Sequence, residues 1–173
     1  MKDPNSAIES WVWGPFSRLG LHVLIATFVV DQAVKWWLLG VFRIAEKGRV
    51  TITPFFDLVF VKNPGISYSL FEQDSFMGQI LLAGFGAAAV MALWIWLARG
   101  ATSRLMAVSL GLIMGGALGN ALDRLLIGGV ADFFSLHAYG FYWYVFNIAD
   151  MAIVAGVIGL LYDSLMVSRK DAA

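Results

Sequence analysis

The sequence predicts an all-α membrane protein of four transmembrane helices, with a small β-sheet at the outer membrane surface between the first two. Hydrophobic residues make up 60% of the 173 residues and charged residues only 14%, whereas about a quarter of the residues in a soluble domain are charged. Four apolar stretches reach the length of about 20 residues that a spanning helix needs. The connection between the first two is too long to be structureless in a compact protein, so it indicates a folded segment.

The four apolar stretches are interpreted as spans at about residues 19–41, 76–98, 104–124 and 144–166 of a single domain covering residues 1–173. The first stretch is too long, and too polar in its middle, for a cleaved signal peptide. Four spans place both termini on one side of the membrane. Basic residues near both termini and in the second connection indicate that this side is cytoplasmic, although the first connection also carries four basic residues.

The first connection, about residues 43–75, has the composition of strands. Its segments RVTITP and FFDLVFVK are rich in β-branched and aromatic residues, and NPG at 63–65 is typical of a turn. These patterns predict the small outer sheet. The third connection is crowded with Tyr, Trp and Phe, which favour the lipid headgroup region and indicate an interfacial aromatic belt.

One face of the third span carries Gly111, Gly115 and Gly119 at a spacing of four residues. Glycines spaced in this way let a neighbouring helix approach closely. We therefore expect a tight helix–helix contact along this face.

Ionisable residues inside spans are costly and tend to face a bundle interior. Asp31 and Lys35 stand four residues apart, a spacing that predicts an ion pair on one helix face, with Lys35 extending towards the surface. Asn120 lies one turn from both Asp123 and Arg124 at the end of the third span. That group is either a helix terminus in water or an ordered polar shell.

Asp132 and Asp150 have no basic neighbour in sequence, because Arg124 is the only Lys or Arg between residues 104 and 169. Two carboxylates that face each other without a cation share one proton, as an aspartic protease requires. Asp150 also stands three residues after Asn147, the spacing of a helix capping pair. For either aspartate, catalytic and structural interpretations therefore both stand at this point.

Other chemistries find little support in the sequence. The absence of cysteine excludes disulfides and thiolate metal sites, and twelve basic residues against twelve acidic ones do not favour nucleic acid. There is no zinc-protease, serine-hydrolase or phosphate-loop motif. A transporter with an aspartate relay and a scaffold that docks through the glycine face remain the alternatives to a protease.

Five motifs, in order, resemble those of the bacterial lipoprotein signal peptidases, also called signal peptidase II. They are DQAVK (31–35), NPGISYS (63–69), GGALGNALDR (115–124), VADFF (130–134) and FNIAD (146–150). The resemblance implies an intramembrane aspartic endopeptidase that removes the signal peptide of diacylglyceryl-modified prolipoproteins, cutting before the lipidated cysteine. By motif match, Asp132 and Asp150 are its catalytic pair. The implied substrate-binding or supporting residues are Asn63, Asn120, Asp123, Arg124, Asn147, Asp31 and Lys35, with Asn63 and Arg124 at the substrate backbone.

The resemblance also implies the partners and the location. These are a lipid-modified prolipoprotein, membrane lipid and inhibitors of the globomycin type of cyclic peptide, with no nucleic acid and no metal or organic cofactor. We expect a monomer in the bacterial cytoplasmic (inner) membrane with its active site at the outer face. The chain has Pro64, Ser67, Tyr68 and Ala131 where the family commonly has Thr, Ala, Phe and Val; Pro64 removes a backbone donor and stiffens the turn.

Overall fold

The computed structural model describes residues 11–65 and 75–171, which form four long helices and an antiparallel sheet. The long helices are α1 (Ser17–Trp36, continued by a π-helical segment Trp37–Val41), α3 (Phe76–Gly100), α4 (Arg104–Ile127) and α5 (Ile148–Asp171). A short helix, α2 (Ile44–Lys47), follows α1. All four long helices have the length and apolar composition of membrane spans, which confirms the predicted four-span architecture.

Two span boundaries differ from the predicted ones by three residues or more, and two others by only two residues. Helix α4 continues to Ile127, and α5 begins at Ile148 instead of near residue 144. The later start of α5 has a tertiary cause, because Phe146 pairs with a strand: its carbonyl accepts hydrogen bonds from the N–H groups of Phe133 and Phe134 at 3.0 and 2.8 Å. That pairing holds the beginning of α5 against the sheet.

Helix α4 is the central helix of the bundle. In its apolar window 56% of the residues are buried, against at most 22% in the other three spans. The glycine face packs on α1 as predicted: a β-carbon at Gly111 would lie 2.7 Å from the carbonyl oxygen of Gly20, and one at Gly115 would lie 2.6 Å from that of Leu24. Side chains at these positions would force the two helices apart.

The sheet has four strands in the order β1 (Val50–Thr53), β2 (Phe56–Asn63), β3 (Val130–Ala138) and β4 (Phe141–Tyr142). The predicted sheet is therefore present, but two of its strands come from the third connection, for which the sequence predicts only an aromatic belt. The first four residues of β3 are all buried, so the strand lacks the alternation of polar and apolar residues that reveals a half-exposed strand. Pairing of β2 with β3 joins the two connections, and it sets Val61 opposite Asp132 and Asn63 opposite Val130.

An acidic residue of β2 contacts both β3 and Arg49, the residue directly before β1. Asp57 of β2 accepts a hydrogen bond from Arg49 Nη1 at 2.6 Å, and the same oxygen lies 3.3 Å from His137 Nε2 of β3. The hydrogen bond from Arg49 keeps the pKa of Asp57 below its usual value. His137 is thus packed within the sheet beside Asp57.

Candidate active site

Asp132 lies near the start of β3 and is buried, with 2% of its surface exposed. Asn147 Nδ2 donates to its Oδ1 at 2.7 Å, and Asn63 Nδ2 donates to its Oδ2 at 3.3 Å. Burial, followed by the negative charge of Asp150, raises the pKa of Asp132 to about 7. The carboxyl group therefore holds or releases a proton near neutral pH.

Asp150 lies in the first turn of α5, where it forms a reciprocal cap with Asn147. The N–H of Asp150 donates to Asn147 Oδ1 at 2.9 Å, and the N–H of Asn147 donates to Asp150 Oδ2 at 3.1 Å. This is the capping pair that the sequence spacing predicted. The other carboxylate oxygen, Oδ1, accepts a hydrogen bond from Asn120 Nδ2 at 2.9 Å.

Asn147 connects the two carboxylates. Its side-chain amide donates to Asp132 while its backbone N–H donates to Asp150, and the same amide lies 3.2 Å from Asn120 Oδ1. Among the described residues, neither carboxylate takes part in an ion pair. The donors around the pair are thus neutral amides, which orient the two groups without forcing both to ionise. An arrangement of this kind can hold a single proton between two carboxylates.

A buried ionic cluster lies behind the pair. Lys35 Nζ is 2.8 Å from Asp31 Oδ2 and 2.7 Å from Asp123 Oδ2, and it donates to Asn120 Oδ1 at 3.1 Å. The predicted Asp31–Lys35 pair is confirmed, but the expectation that Lys35 extends to the surface is wrong, since only 4% of the residue is exposed. Two carboxylates and an amide replace the water that the ammonium group would find at the surface.

The cluster also holds the backbone next to each member of the pair. Asp31 Oδ1 accepts the N–H of Ala149 at 2.9 Å, and Asp123 Oδ2 accepts the N–H of Ala131 at 3.1 Å. Ala149 and Ala131 directly precede Asp150 and Asp132 in the sequence. Of the two predicted possibilities for the end of the third span, the ordered polar shell is therefore the one found.

Arg124 and the turn at residues 63–65 form a third part of the site. Arg124 Nη1 donates to the carbonyl of Asn120 at 3.0 Å, and Nη2 donates to that of Gly65 at 2.8 Å. Its Nε is buried and has no acceptor among the described residues. The N–H of Gly65 in turn donates to Asn63 Oδ1 at 3.0 Å. The remainder of the NPGISYS motif, including Ser67 and Tyr68, lies outside the described residues.

The pair opens onto a cavity of about 820 Å³. Five of the nine predicted site residues line it, namely Asn63, Asn120, Arg124, Asp132 and Asp150. Of the other four, Lys35 and Asn147 hydrogen-bond to lining residues, whereas Asp31 and Asp123 are paired with Lys35. Most of the remaining wall is formed by apolar side chains of α3, α4 and α5, including Leu82, Ile113 and Ile158, and residues of β3 and of the segment 143–146 complete it. The cavity therefore combines a carboxyl pair with an apolar channel between helices.

Sequence reasoning missed two glutamines. Gln32 Nε2 donates to Asp123 Oδ1 at 3.0 Å and to the carbonyl of Gly119 at 3.2 Å. Gln79 Nε2 donates to the carbonyl of Pro64 at 2.7 Å. Both residues carry a side-chain amide in a spanning helix, and such an amide needs hydrogen-bond partners. This requirement could have identified both glutamines from the sequence.

Metal ligands are not grouped anywhere in the part of the chain that the structure describes: no three His, Cys, Asp or Glu side chains come together there. The carboxylates near the cavity are bound by Lys35 or by amides. The groups available for chemistry in the cavity are thus the carboxyl pair and the donors of Arg124 and the asparagines.

This chain is similar in sequence to lipoprotein signal peptidases. The family described as signal peptidase (SPase) II matches residues 23–166. A lipoprotein signal peptidase of Rhodopseudomonas palustris is 54% identical over 153 residues, which cover 86% of this chain and 93% of the relative. One of Beijerinckia indica is 54% identical over 146 residues, which cover 84% and 87%.

A solved structure has the same fold. It is that of a bacterial membrane enzyme determined by the in meso method at 2.3 Å resolution, and it matches with a TM-score of 0.69 at 23% identity. The match covers 87% of this chain and 89% of that one. The arrangement of spans and sheet is therefore that of a known membrane enzyme.

Proposed function

Because the chain belongs to the signal peptidase II family of proteases, we propose that it removes the signal peptide of lipid-modified prolipoproteins by an aspartic mechanism. Asp132 and Asp150 are the catalytic residues in this proposal, and the bond cut is the one before the diacylglyceryl-modified cysteine. The observation that supports it best is the buried carboxyl pair, held by neutral amides at the wall of a largely apolar cavity.

The two carboxyl groups have different roles. Asp150 is the ionised member, because the partial positive charge at the N-terminus of α5 favours a carboxylate there. Asp132, with a pKa of about 7, holds the proton. A water molecule between them loses its proton to Asp150 and attacks the peptide carbonyl, while Asp132 donates its proton to the carbonyl oxygen. As this intermediate collapses and its C–N bond breaks, Asp150 gives the proton that it took from water to the leaving nitrogen. Asp132 takes a proton back from a hydroxyl group of the intermediate, which restores the pair to its starting state.

Substrate is held by polar groups and by the apolar wall. Arg124 and Asn63 both line the cavity, and their N–H groups can donate to backbone carbonyls of the peptide. The lipid chains of the substrate already lie in hydrocarbon, so moving them from the bilayer to the apolar wall changes their solvation little. The lipid instead anchors the modified cysteine at the membrane and so sets which peptide bond meets the carboxyl pair.

The test is a gel-shift assay with purified protein in detergent and a diacylglyceryl-modified prolipoprotein. We expect the wild type to release the signal peptide, and Asp132→Asn and Asp150→Asn to remain folded without cleaving. Asp163→Asn is the matched control, because Asp163 lies on α5 but accepts from Ser103 Oγ at 2.6 Å, away from the cavity. Cleavage by either of the first two variants would contradict the proposed pair. A folded wild type that leaves the substrate whole would refute the function, and ion or solute flux would then be measured.

The inhibitor and the side of the membrane are tested separately. A globomycin-type cyclic peptide should block cleavage by competing with the substrate for the cavity.

The chain has no cysteine, so a single Tyr139→Cys substitution at the fully exposed turn between β3 and β4 shows on which side of the membrane the sheet lies. We propose that the sheet and the carboxyl pair face outwards in the cytoplasmic membrane; an impermeant maleimide added to intact cells should then label Cys at position 139, and labelling only after lysis would contradict that orientation.

A further inference from the structure

Gln79 is a buried amide that links a spanning helix to the turn at residues 63–65. It lies in the first turn of α3 and is 1% exposed. Its Nε2 donates to the carbonyl oxygen of Pro64 at 2.7 Å. The bond joins two segments that are 15 residues apart in sequence.

The same turn is held from a second helix. Arg124 of α4 donates to the carbonyl of Gly65 at 2.8 Å, so successive carbonyls of the turn bind side chains from α3 and α4. The ring of Pro64 fixes its own φ angle. Because of that rigidity, a hold on the Pro64 carbonyl also restrains the residue before it, Asn63.

The orientation of the Asn63 amide depends on this turn. Its Oδ1 accepts the N–H of Gly65 at 3.0 Å, which leaves Nδ2 to donate to Asp132 Oδ2 at 3.3 Å. If the Pro64–Gly65 segment shifts, the amide shifts with it. The distance from Asn63 Nδ2 to Asp132 is already near the upper limit of a hydrogen bond, so a small displacement is enough to break the contact.

We propose that Gln79 is a positioning residue for the carboxyl pair: by holding the carbonyl of Pro64 it keeps the Asn63 amide on Asp132. The inference rests on the proposed function. Gln79 acts through Asn63 and does not itself take part in proton transfer.

The proposal predicts a change in pH dependence. The hydrogen bond from Asn63 stabilises the ionised form of Asp132 and so lowers the pKa of that carboxyl. Loss of the bond raises the pKa, and the alkaline limb of the rate profile moves to higher pH by about one unit. A purely structural residue would lower the amount of folded enzyme without moving that limb.

The test compares the pH profile of cleavage in four proteins: wild type, Gln79→Met, Asn63→Ala and the double variant. Gln79→Met keeps the length of the side chain and removes the donor. If the methionine variant does not fold, Gln79→Asn is used in its place, because its amide is too short to reach Pro64. Ser75→Ala is the matched control, because it removes the cap of α3, whose oxygen accepts from the N–H of Gly78 at 3.1 Å, and leaves the Gln79 bond in place.

We expect both single variants to move the alkaline limb upwards by a similar amount, the double variant to move it no further, and Ser75→Ala to leave it unchanged. An unmoved limb in the Gln79 variant, beside a moved one in Asn63→Ala, would overturn the inference. Additive shifts in the double variant would overturn it as well, since Gln79 would then act by another route. Failure of the wild type and of Ser75→Ala to cleave would refute the proposed function itself, and the inference with it.

Discussion

Replacing Asp132 by asparagine should abolish cleavage and yet stabilise the protein increasingly as the pH rises. The substitution removes a buried carboxyl group whose pKa, about 7, lies far above its ordinary value of 3.8. A raised carboxyl pKa means that the folded state resists ionisation while the unfolded state does not. Below about pH 3.8 the carboxyl is protonated in both states, and its contribution to the stability of the wild type is fully present. This stability is lost as the pH rises through about 7, where the folded state ionises as well.

The size of the effect follows from the two pKa values. A shift of about three units corresponds to about 4 kcal/mol in the free energy of unfolding once the pH is well above 7. Between pH 5 and pH 8 the wild type should lose about 2 to 3 kcal/mol of this contribution. Asparagine has one acceptor for the two amides that donate to Asp132, which costs about 1 kcal/mol at every pH.

The assay is unfolding of wild type and Asp132→Asn in the same detergent at pH 5, 6, 7 and 8. The free energy of unfolding of the variant minus that of the wild type should increase by about 2 to 3 kcal/mol across this range. Ser109→Ala, which alters a buried residue of α4 that does not titrate, should give a constant difference. A difference for Asp132→Asn that stays constant or falls with pH would refute the assignment of a raised pKa to this carboxyl.

Three further predictions concern rate, charge and packing. The cleavage rate should fall about tenfold per pH unit above about pH 7, since the proposed mechanism requires Asp132 to be protonated; a constant rate up to pH 9 would contradict that mechanism. Lys35→Met leaves Asp31 and Asp123 without their cation and should reduce stability by about 3 to 5 kcal/mol, seen as a lower melting temperature in detergent. Gly115→Leu should separate α1 from α4 and cost about 2 kcal/mol or more; unchanged thermal stability would contradict the helix contact.

The spans were predictable because each depends on a local property, the length of an apolar run. The start of α5 was not, because residues 144–146 are apolar and aromatic enough to continue the helix backwards. What ends the helix is a contact with residues about a dozen positions earlier, the pairing of Phe146 with Phe134. The strand β3 was missed for a related reason, since a strand buried on both faces has no alternating pattern.

Within the site, spacing predicted the neighbours that share one helix and nothing about partners on other helices. The Asp31–Lys35 pair and the Asn147–Asp150 cap follow from spacings of four and three residues. The contact of Lys35 with Asp123 joins residues 88 positions apart, and its effect was to reverse the expected direction of the side chain. The sequence showed which polar residues need partners, but the packing of the helices determines which partners they contact.

The capping and catalytic interpretations of Asp150 do not exclude each other, because the carboxyl group has two oxygens. Oδ2 accepts the backbone N–H of Asn147, whereas Oδ1 meets the amide of Asn120, and each oxygen retains a second lone pair. The cap also fixes Asp150 at the N-terminus of α5, where the partial positive charge of the helix end favours a negative charge. Asp132 lies in a strand and has no such helix end beside it. In the proposed mechanism the cap thereby favours Asp150 as the ionised member of the pair. Asparagine at position 150 can keep the cap through its own Oδ1 but cannot accept the proton of a water molecule, so a folded and inactive Asp150→Asn variant would separate the two roles.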